Sequence, residues 1–152
     1  MLQHWKEFAY YCNHVADKDP NAGKRFYELG DANYFDLMGA VRRPTFEPHF
    51  DVITPFLAKA NLEIKELEIV AITPECGYAT AYQHYWGTTT DGNSFDYTYR
   101  TTSIMRRIGA GDWKYVHEHY SFPCNMTTKA ADFTSGADAH GNIGKKGEKS
   151  GQ

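Results

Sequence analysis

The sequence predicts an α+β fold in which N-terminal helices pack on a strongly curled antiparallel sheet. Two observations carry this reading. Apolar residues recur at three- and four-residue steps up to about Val15, and after Leu62 the period switches to two. Four long strand-like runs then follow one another with only turn residues between them, which is the pattern of a meander. A third observation concerns what the fold encloses. With 11 Tyr, 9 Phe and 3 Trp in 152 residues, the chain holds more rings than a small core needs, so some must line a ligand cavity or a subunit interface.

The first helix is read from Leu2, Trp5, Phe8, Ala9, Cys12 and Val15, which share one face, with Tyr11 at its flank. Asp19-Pro20 reads as an N-cap followed by proline at the first helical position, and Gly30 closes a short second helix through Phe26, Tyr27 and Leu29. A strand is expected over Asn33–Met38, ending at Gly39. Between Thr45 and Ala60 the pattern is helical again, but Pro48 and Pro55 limit it to a short broken helix or lid. The meander comprises Leu62–Ile72, Tyr78–Thr88, Ser94–Arg107 and Trp113–Phe122, rich in Tyr, Thr, Val and Ile. From Thr134 the chain is Gly, Lys, Ser and Asp with almost nothing to bury. A single domain over 1–128 and a flexible tail over 129–152 are therefore expected.

Composition narrows the function. A formal net charge of -3 offers no basic field for a phosphate backbone, so no nucleic-acid partner is expected. No window approaches the roughly 18 consecutive apolar residues of a membrane span, and MLQHWKEF lacks the apolar core of a signal peptide. A cytoplasmic protein without membrane contact is expected. Cys12, Cys76 and Cys124 are odd in number and far apart, which implies neither a disulfide framework nor a zinc site.

Asp91-Gly92 suits a two-residue hairpin turn, which sets Thr90 opposite Asn93 and fixes a register. Under it Ala79, Ala81, Gln83 and Tyr85 share a small polar face with Thr98, Arg100, Thr102 and Ile104. Tyr82, His84 and Trp86 form the other face with Phe95, Tyr97, Tyr99 and Thr101. The first face is expected to line a cavity and the second, joined by Trp113 and Tyr115, to form a dimer interface. A one-residue slip would exchange the faces.

Arg100-Thr101-Thr102-Ser103-Ile104-Met105-Arg106-Arg107, a glycine turn, and Trp113-Lys114-Tyr115-Val116-His117-Glu118-His119-Tyr120-Ser121-Phe122-Pro123 resemble the R-x-T…R-R…W-x-x-V-H-x-H-x-S-x-P ending of SnoaL-like proteins. These belong to the nuclear transport factor 2-like superfamily. Phe35-Asp36-Leu37-Met38-Gly39 is similar to their first strand, so the resemblance runs from about Trp5 to Pro123. It implies a conical α+β barrel, helices wrapped in a curled sheet around a deep apolar pocket, commonly dimerising through the outer sheet face. Members include ketosteroid isomerases, polyketide cyclases, scytalone dehydratases, limonene epoxide hydrolases, lyases on lignin-derived diaryl compounds, and proteins that only bind or assemble. Fold alone does not choose among these.

The resemblance places Asp36 where ketosteroid isomerases carry their general base, and Tyr11 where they place an oxyanion-donating phenol. Their second, acidic donor has no counterpart at Thr102-Ser103. Arg100 and Thr102 stand where epoxide hydrolases carry R-x-D, again without the acid. An inward Arg100 demands an anionic partner, and Glu118 on the neighbouring strand is the expected one. Tyr34 and Met38 would desolvate Asp36, while Gln83, Tyr85, Thr102 and Tyr120 would contact the ligand. His49, in the lid-like segment, would reach over the pocket mouth as acid or base. His117 and His119 share a strand face but find no third ligand, so no metal is expected.

These residues lead to a cofactor-independent lyase, dehydratase or isomerase acting by acid–base chemistry on a small aromatic molecule, phenolic and possibly lignin-derived, or a polycyclic one. Asp36 or Glu118 would remove a proton while Arg100 and Tyr11 stabilise the oxyanion. The alternative is a non-catalytic small-molecule-binding or assembly domain of the same fold. In either case a homodimer or higher homo-oligomer through the outer sheet face is expected.

Overall fold

The computed structural model describes residues 1–30, 32–37, 41–42, 46–57 and 59–144. Helix α1 (Leu2–His14) buries Trp5, Phe8, Ala9, Tyr11 and Cys12, the face that the three- and four-residue spacing predicts, while Leu2 stays exposed. Its last turn is tied to the sheet by Asn13. The amide Nδ2 donates to the Leu62 carbonyl at 2.9 Å and Oδ1 accepts from the Leu62 N–H at 2.8 Å, so one side chain stands in for a neighbouring strand. The second helix is a 3₁₀ helix, Pro20–Phe26, with proline at its start as expected but ending before Tyr27.

Strand β1 (Asn33–Phe35) stops three residues short of the expected end, leaving Asp36 just beyond it. Strand β2 (Val41–Arg42) pairs with it. Helix α2 (Glu47–Phe56) is continuous: Pro48 sits in the first turn, where a missing N–H costs nothing, and Pro55 lies one residue from the end. The meander follows as β3 (Lys59–Thr73), β4 (Cys76–Thr88), β5 (Ser94–Ile108) and β6 (Asp112–Ser121), each close to its expected range. With the short β7 (Gly141–Ile143) they form a seven-stranded open curled sheet in the order β2-β1-β6-β5-β4-β3-β7, an α+β fold. A bulge at Glu66, whose φ is 48°, breaks the β3–β4 register and bends β3. The helices lie in the hollow of the sheet, where Trp5, Phe8 and Phe26 meet Ile64, Met105 and Tyr115.

The β4–β5 hairpin corrects the expected register. Thr89 N–H donates to the Asn93 carbonyl at 2.9 Å and Gly92 N–H to the Thr89 carbonyl at 3.0 Å, so the loop is Thr90-Asp91-Gly92, three residues rather than two. Gly92 has φ 89°, the left-handed residue that ends a three-residue hairpin loop, and Asp91 Oδ1 accepts from both Thr89 Oγ1 and the Asn93 N–H. One extra residue turns β5 over while leaving β4 as expected. Tyr85 faces Tyr97, Gln83 faces Tyr99, Ala81 faces Thr101 and Ala79 faces Ser103. Phe95, Tyr97 and Tyr99 thus leave the outer face to which the ring pattern assigns them, and Tyr115 joins the core. Tyr82 and Trp86 remain outside.

The chain beyond Phe122 is also more structured than its composition predicts. Phe133 packs on Phe122 with ring centres 4.8 Å apart, its carbonyl accepts from the Thr98 N–H, and β7 pairs with the free edge of β3. The expected free tail is thereby corrected as far as residue 144. Hydropathy misses this because the pairing uses backbone groups, with Gly136 and Gly144 at positive φ turning the chain. Residues 145–152 lie outside the described residues.

Candidate active site in the hollow of the sheet

A pocket of about 510 Å³ opens between α1, α2 and the inner face of the sheet. Its wall is largely aromatic: Phe8, Phe46, Phe50 and Phe122 stand among Tyr27, Tyr34, Tyr85, Tyr97, Tyr99 and Tyr120. Two titratable side chains interrupt this wall together. Asp36, at the end of β1, presents Oδ2 3.0 Å from Nε2 of His49 on the first turns of α2, and each side chain is only 7% exposed. The sequence suggests both residues separately; what it does not reveal is that they pair. Tyr34 stacks on Phe46 at 4.6 Å and meets Tyr120 edge-on at 5.2 Å, walling the pair off from the interior. Met38, expected beside Asp36, lies outside the described residues.

Deeper, behind Tyr120, Glu118 is 1% exposed, and among the described residues no basic side chain is bonded to it. Parallel pairing of β1 with β6 sets it beside Tyr34, and antiparallel pairing sets it opposite Ser103 of β5. Ser103 Oγ donates to Oε2 at 2.7 Å and the Tyr120 hydroxyl to the same oxygen at 3.2 Å. Burial pushes the carboxyl up to about 8, and the favourable contacts from Ser103, Tyr120 and Tyr27 offset only part of that. The carboxyl is therefore mostly protonated at neutral pH.

The expected Arg100–Glu118 pair does not form. With β5 turned over, Arg100 and Thr102 point to solvent on the outer face, Arg100 opposite Tyr82 and Ser121, and Thr102 opposite Thr80 and His119. Thr101 and Ser103 take the inward places beside them. Arg100→Gln is accordingly expected to change ligand affinity and turnover by no more than about twofold, the ordinary effect of a surface substitution, measured by titration and rate assay. Tyr11 is corrected in role. Its ring lines the pocket, but its hydroxyl donates to the Pro20 carbonyl at 2.6 Å and is committed to the fold. Gln83, Tyr85 and Tyr120 line the pocket as expected, Tyr85 with its hydroxyl 3.5 Å from the Leu57 carbonyl. Ser103, Tyr99 and Tyr27 are the functional candidates that sequence reasoning misses, the first two because they depend on the hairpin register.

His117 and His119 face outward, His117 with Nδ1 3.0 Å from the Asn33 carbonyl. Among the described residues no group of three or more His, Cys, Asp or Glu is placed to hold a metal ion. No helix among them is long and apolar enough to cross a membrane.

Helices held in the hollow of a curled meander, with a deep pocket between them, define the architecture of the nuclear transport factor 2-like superfamily. Residues 28–125 match the SnoaL-like domain, and the chain belongs to that family. Among solved structures, an NTF2-like protein of unknown function from Pseudomonas putida KT2440 is 23% identical, with a TM-score of 0.66 over 87% of this chain and 90% of that one. A candidate ketosteroid isomerase from Shewanella frigidimarina is 23% identical, TM-score 0.59, covering 78% and 92% of the two chains. The association domain of a Caenorhabditis elegans kinase, CaMKII, is 12% identical, TM-score 0.57, covering 79% and 91%. These likenesses bear on the fold alone. No curated protein matches the sequence.

Proposed function

We propose that the chain is an enzyme of the isomerase, dehydratase or lyase type that moves a proton on a small aromatic or polycyclic molecule held in this pocket. The observation that carries the reading is the Asp36–His49 pair, withdrawn from water in an apolar wall. A carboxylate that orients an imidazole in a dry site is a base whose strength is spent on the ligand rather than on solvent. Tyr34 supplies a hydroxyl for the negative charge that develops on a ligand oxygen, whereas the Tyr120 proton is already given to Glu118 Oε2. Glu118 does not line the pocket; it acts through Tyr120, holding that hydroxyl in place. Proton transfer of this kind requires no cofactor.

The test needs no knowledge of the natural substrate. 2-Tetralone has a weakly acidic benzylic C–H next to its carbonyl, and its exchange with solvent deuterium is followed by proton NMR. The protein is expected to accelerate that exchange at least tenfold over buffer at the same pH. Binding of 2-tetralone without acceleration would instead support a ligand-binding domain. One observation favours that second reading: the Arg100 guanidinium and the Tyr11 hydroxyl, two of the four groups the sequence offers for catalysis, are turned away or already engaged.

A further inference from the structure

Gln83 lies in the middle of β4, 2% exposed, in the wall of the pocket. The Tyr99 hydroxyl, from the facing position on β5, donates to its Oε1 at 3.0 Å. Its Nε2 is buried and has no hydrogen-bond partner. The orientation of the amide follows from counting groups. As placed, the Tyr99 proton and the Gln83 oxygen satisfy each other and only the NH₂ is left over. Turned by 180°, the amide would leave its oxygen and the Tyr99 proton both unsatisfied. A buried amide N–H without an acceptor is destabilising, a cost that a ligand oxygen removes on binding.

Two further features of the wall restrict the ligand. Among the described residues lining the pocket there is no lysine or arginine, whereas Asp36 and Asp91 are both present. A carboxylate or phosphate ligand would lose its hydration there and meet like charge. Distance supplies the other restriction. In the sheet order β1-β6-β5-β4, three strand spacings of about 4.8 Å separate the strand of Gln83 from the strand that carries Asp36, about 14 Å along the sheet before side chains reach inward. A ligand that meets Gln83 at one end and the Asp36–His49 pair at the other therefore reaches from β4 towards the end of β1.

We infer that the pocket selects an uncharged molecule of two or more rings with a distal acceptor oxygen, which takes a hydrogen bond from Gln83 Nε2 while the opposite end meets Asp36 and His49. Gln83 is the specificity residue and Tyr99 the residue that positions it. The inference rests on the proposed function for the identity of the reacting end, but recognition by Gln83 is separable from turnover.

The probes are 6-methoxy-2-tetralone, 2-tetralone, which lacks the distal oxygen, and 6-carboxy-2-tetralone, which puts a charge there. The wild-type protein is expected to bind the methoxy compound about fivefold or more tightly than 2-tetralone, and the carboxylate at least tenfold more weakly than the methoxy compound. The Gln83 side-chain NH₂ signals, identified by their loss in Gln83→Met, are expected to move downfield with the methoxy compound and not with 2-tetralone. Gln83→Met is expected to bind methoxy and parent compounds within about twofold of each other. Tyr99→Phe, which frees the amide to turn while keeping the ring, is expected to lose most of the preference, and serves where the Met variant does not fold. The inference is overturned by equal binding of the two neutral compounds to the wild type, by a preference that persists in Gln83→Met or Tyr99→Phe, or by binding of none of the three at millimolar concentration. A Gln83-dependent preference without deuterium exchange would remove the enzymatic reading and leave this one standing; exchange without the preference would do the reverse.

Discussion

Asp36→Asn lowers the rate of 2-tetralone deuterium exchange by about 10²-fold or more, while the dissociation constant for the ketone changes by less than about threefold. The expectation follows from what asparagine keeps and what it removes. The amide keeps the size of the carboxyl 3.0 Å from His49 Nε2, so the aromatic wall formed by Tyr34 and Phe46 is undisturbed. The negative charge is gone. A proton arriving at the imidazole then has no carboxylate to balance it in a site that excludes water, and the pair ceases to be a base. His49→Asn is expected to cause a loss of similar size, and the double variant no more than the worse single one, because two groups that serve one step act as a unit. Retention of half the wild-type rate by Asp36→Asn would show that the pair takes no part in the chemistry. Additive losses would assign the two residues to separate steps.

Much of this site is legible in the sequence, and the reasons differ from residue to residue. The helices and the four long strands follow from period alone, since Trp5, Phe8 and Cys12 can share a helix face and Ala79, Ala81 and Gln83 a strand face in only one way. Asp36 and Tyr11 are pointed out by resemblance, which locates a backbone position but not what the side chain touches; Asp36 meets an imidazole and Tyr11 is absorbed by the Pro20 carbonyl. The inward set on β5 is decided by one turn. Asp-Gly reads as a two-residue loop, but the Asp91 side chain gathers the Thr89 hydroxyl and the Asn93 N–H, widening the loop to three residues. That single residue exchanges Arg100 for Tyr99 and Thr102 for Ser103 in the interior. The consequence is chemical as well as geometric: Glu118 faces a hydroxyl instead of a guanidinium, and its proton affinity rises instead of falling.

That reversal makes stability the most direct measure of Glu118. Its carboxyl sits at about 8 in the fold against 4.5 in the unfolded chain, so between these pH values the native protein holds a proton that the unfolded chain releases. Stability contributed in this way is complete below pH 4.5 and is lost as pH rises towards 8. His4 works in the opposite direction. Burial lowers it from 6.5 to about 4, so the unfolded chain binds the extra proton and stability is lost as pH falls from 6.5 to about 4. From about 4.5 to 6.5 the two slopes oppose each other and nearly cancel. From 6.5 to about 8 Glu118 is opposed in part by the Met1 amine, which burial and Arg107 hold below its usual 8.0, and the wild-type protein is expected to lose on the order of 1–2 kcal/mol of unfolding free energy over that range. Glu118→Gln keeps an oxygen for Ser103 and Tyr120 to donate to and cannot ionise. Its urea-unfolding free energy is expected to show no loss from pH 6.5 to 8, rising slightly with the Met1 amine, and to fall from pH 6.5 towards 4, where His4 is no longer offset. Because the readout is the slope with pH, any constant cost of placing the amide in the core drops out. Parallel curves for wild type and Glu118→Gln between pH 6.5 and 8 would mean that the carboxyl has found a charged partner, and with it the hydroxyl-lined interior that the three-residue hairpin loop creates would have to be given up.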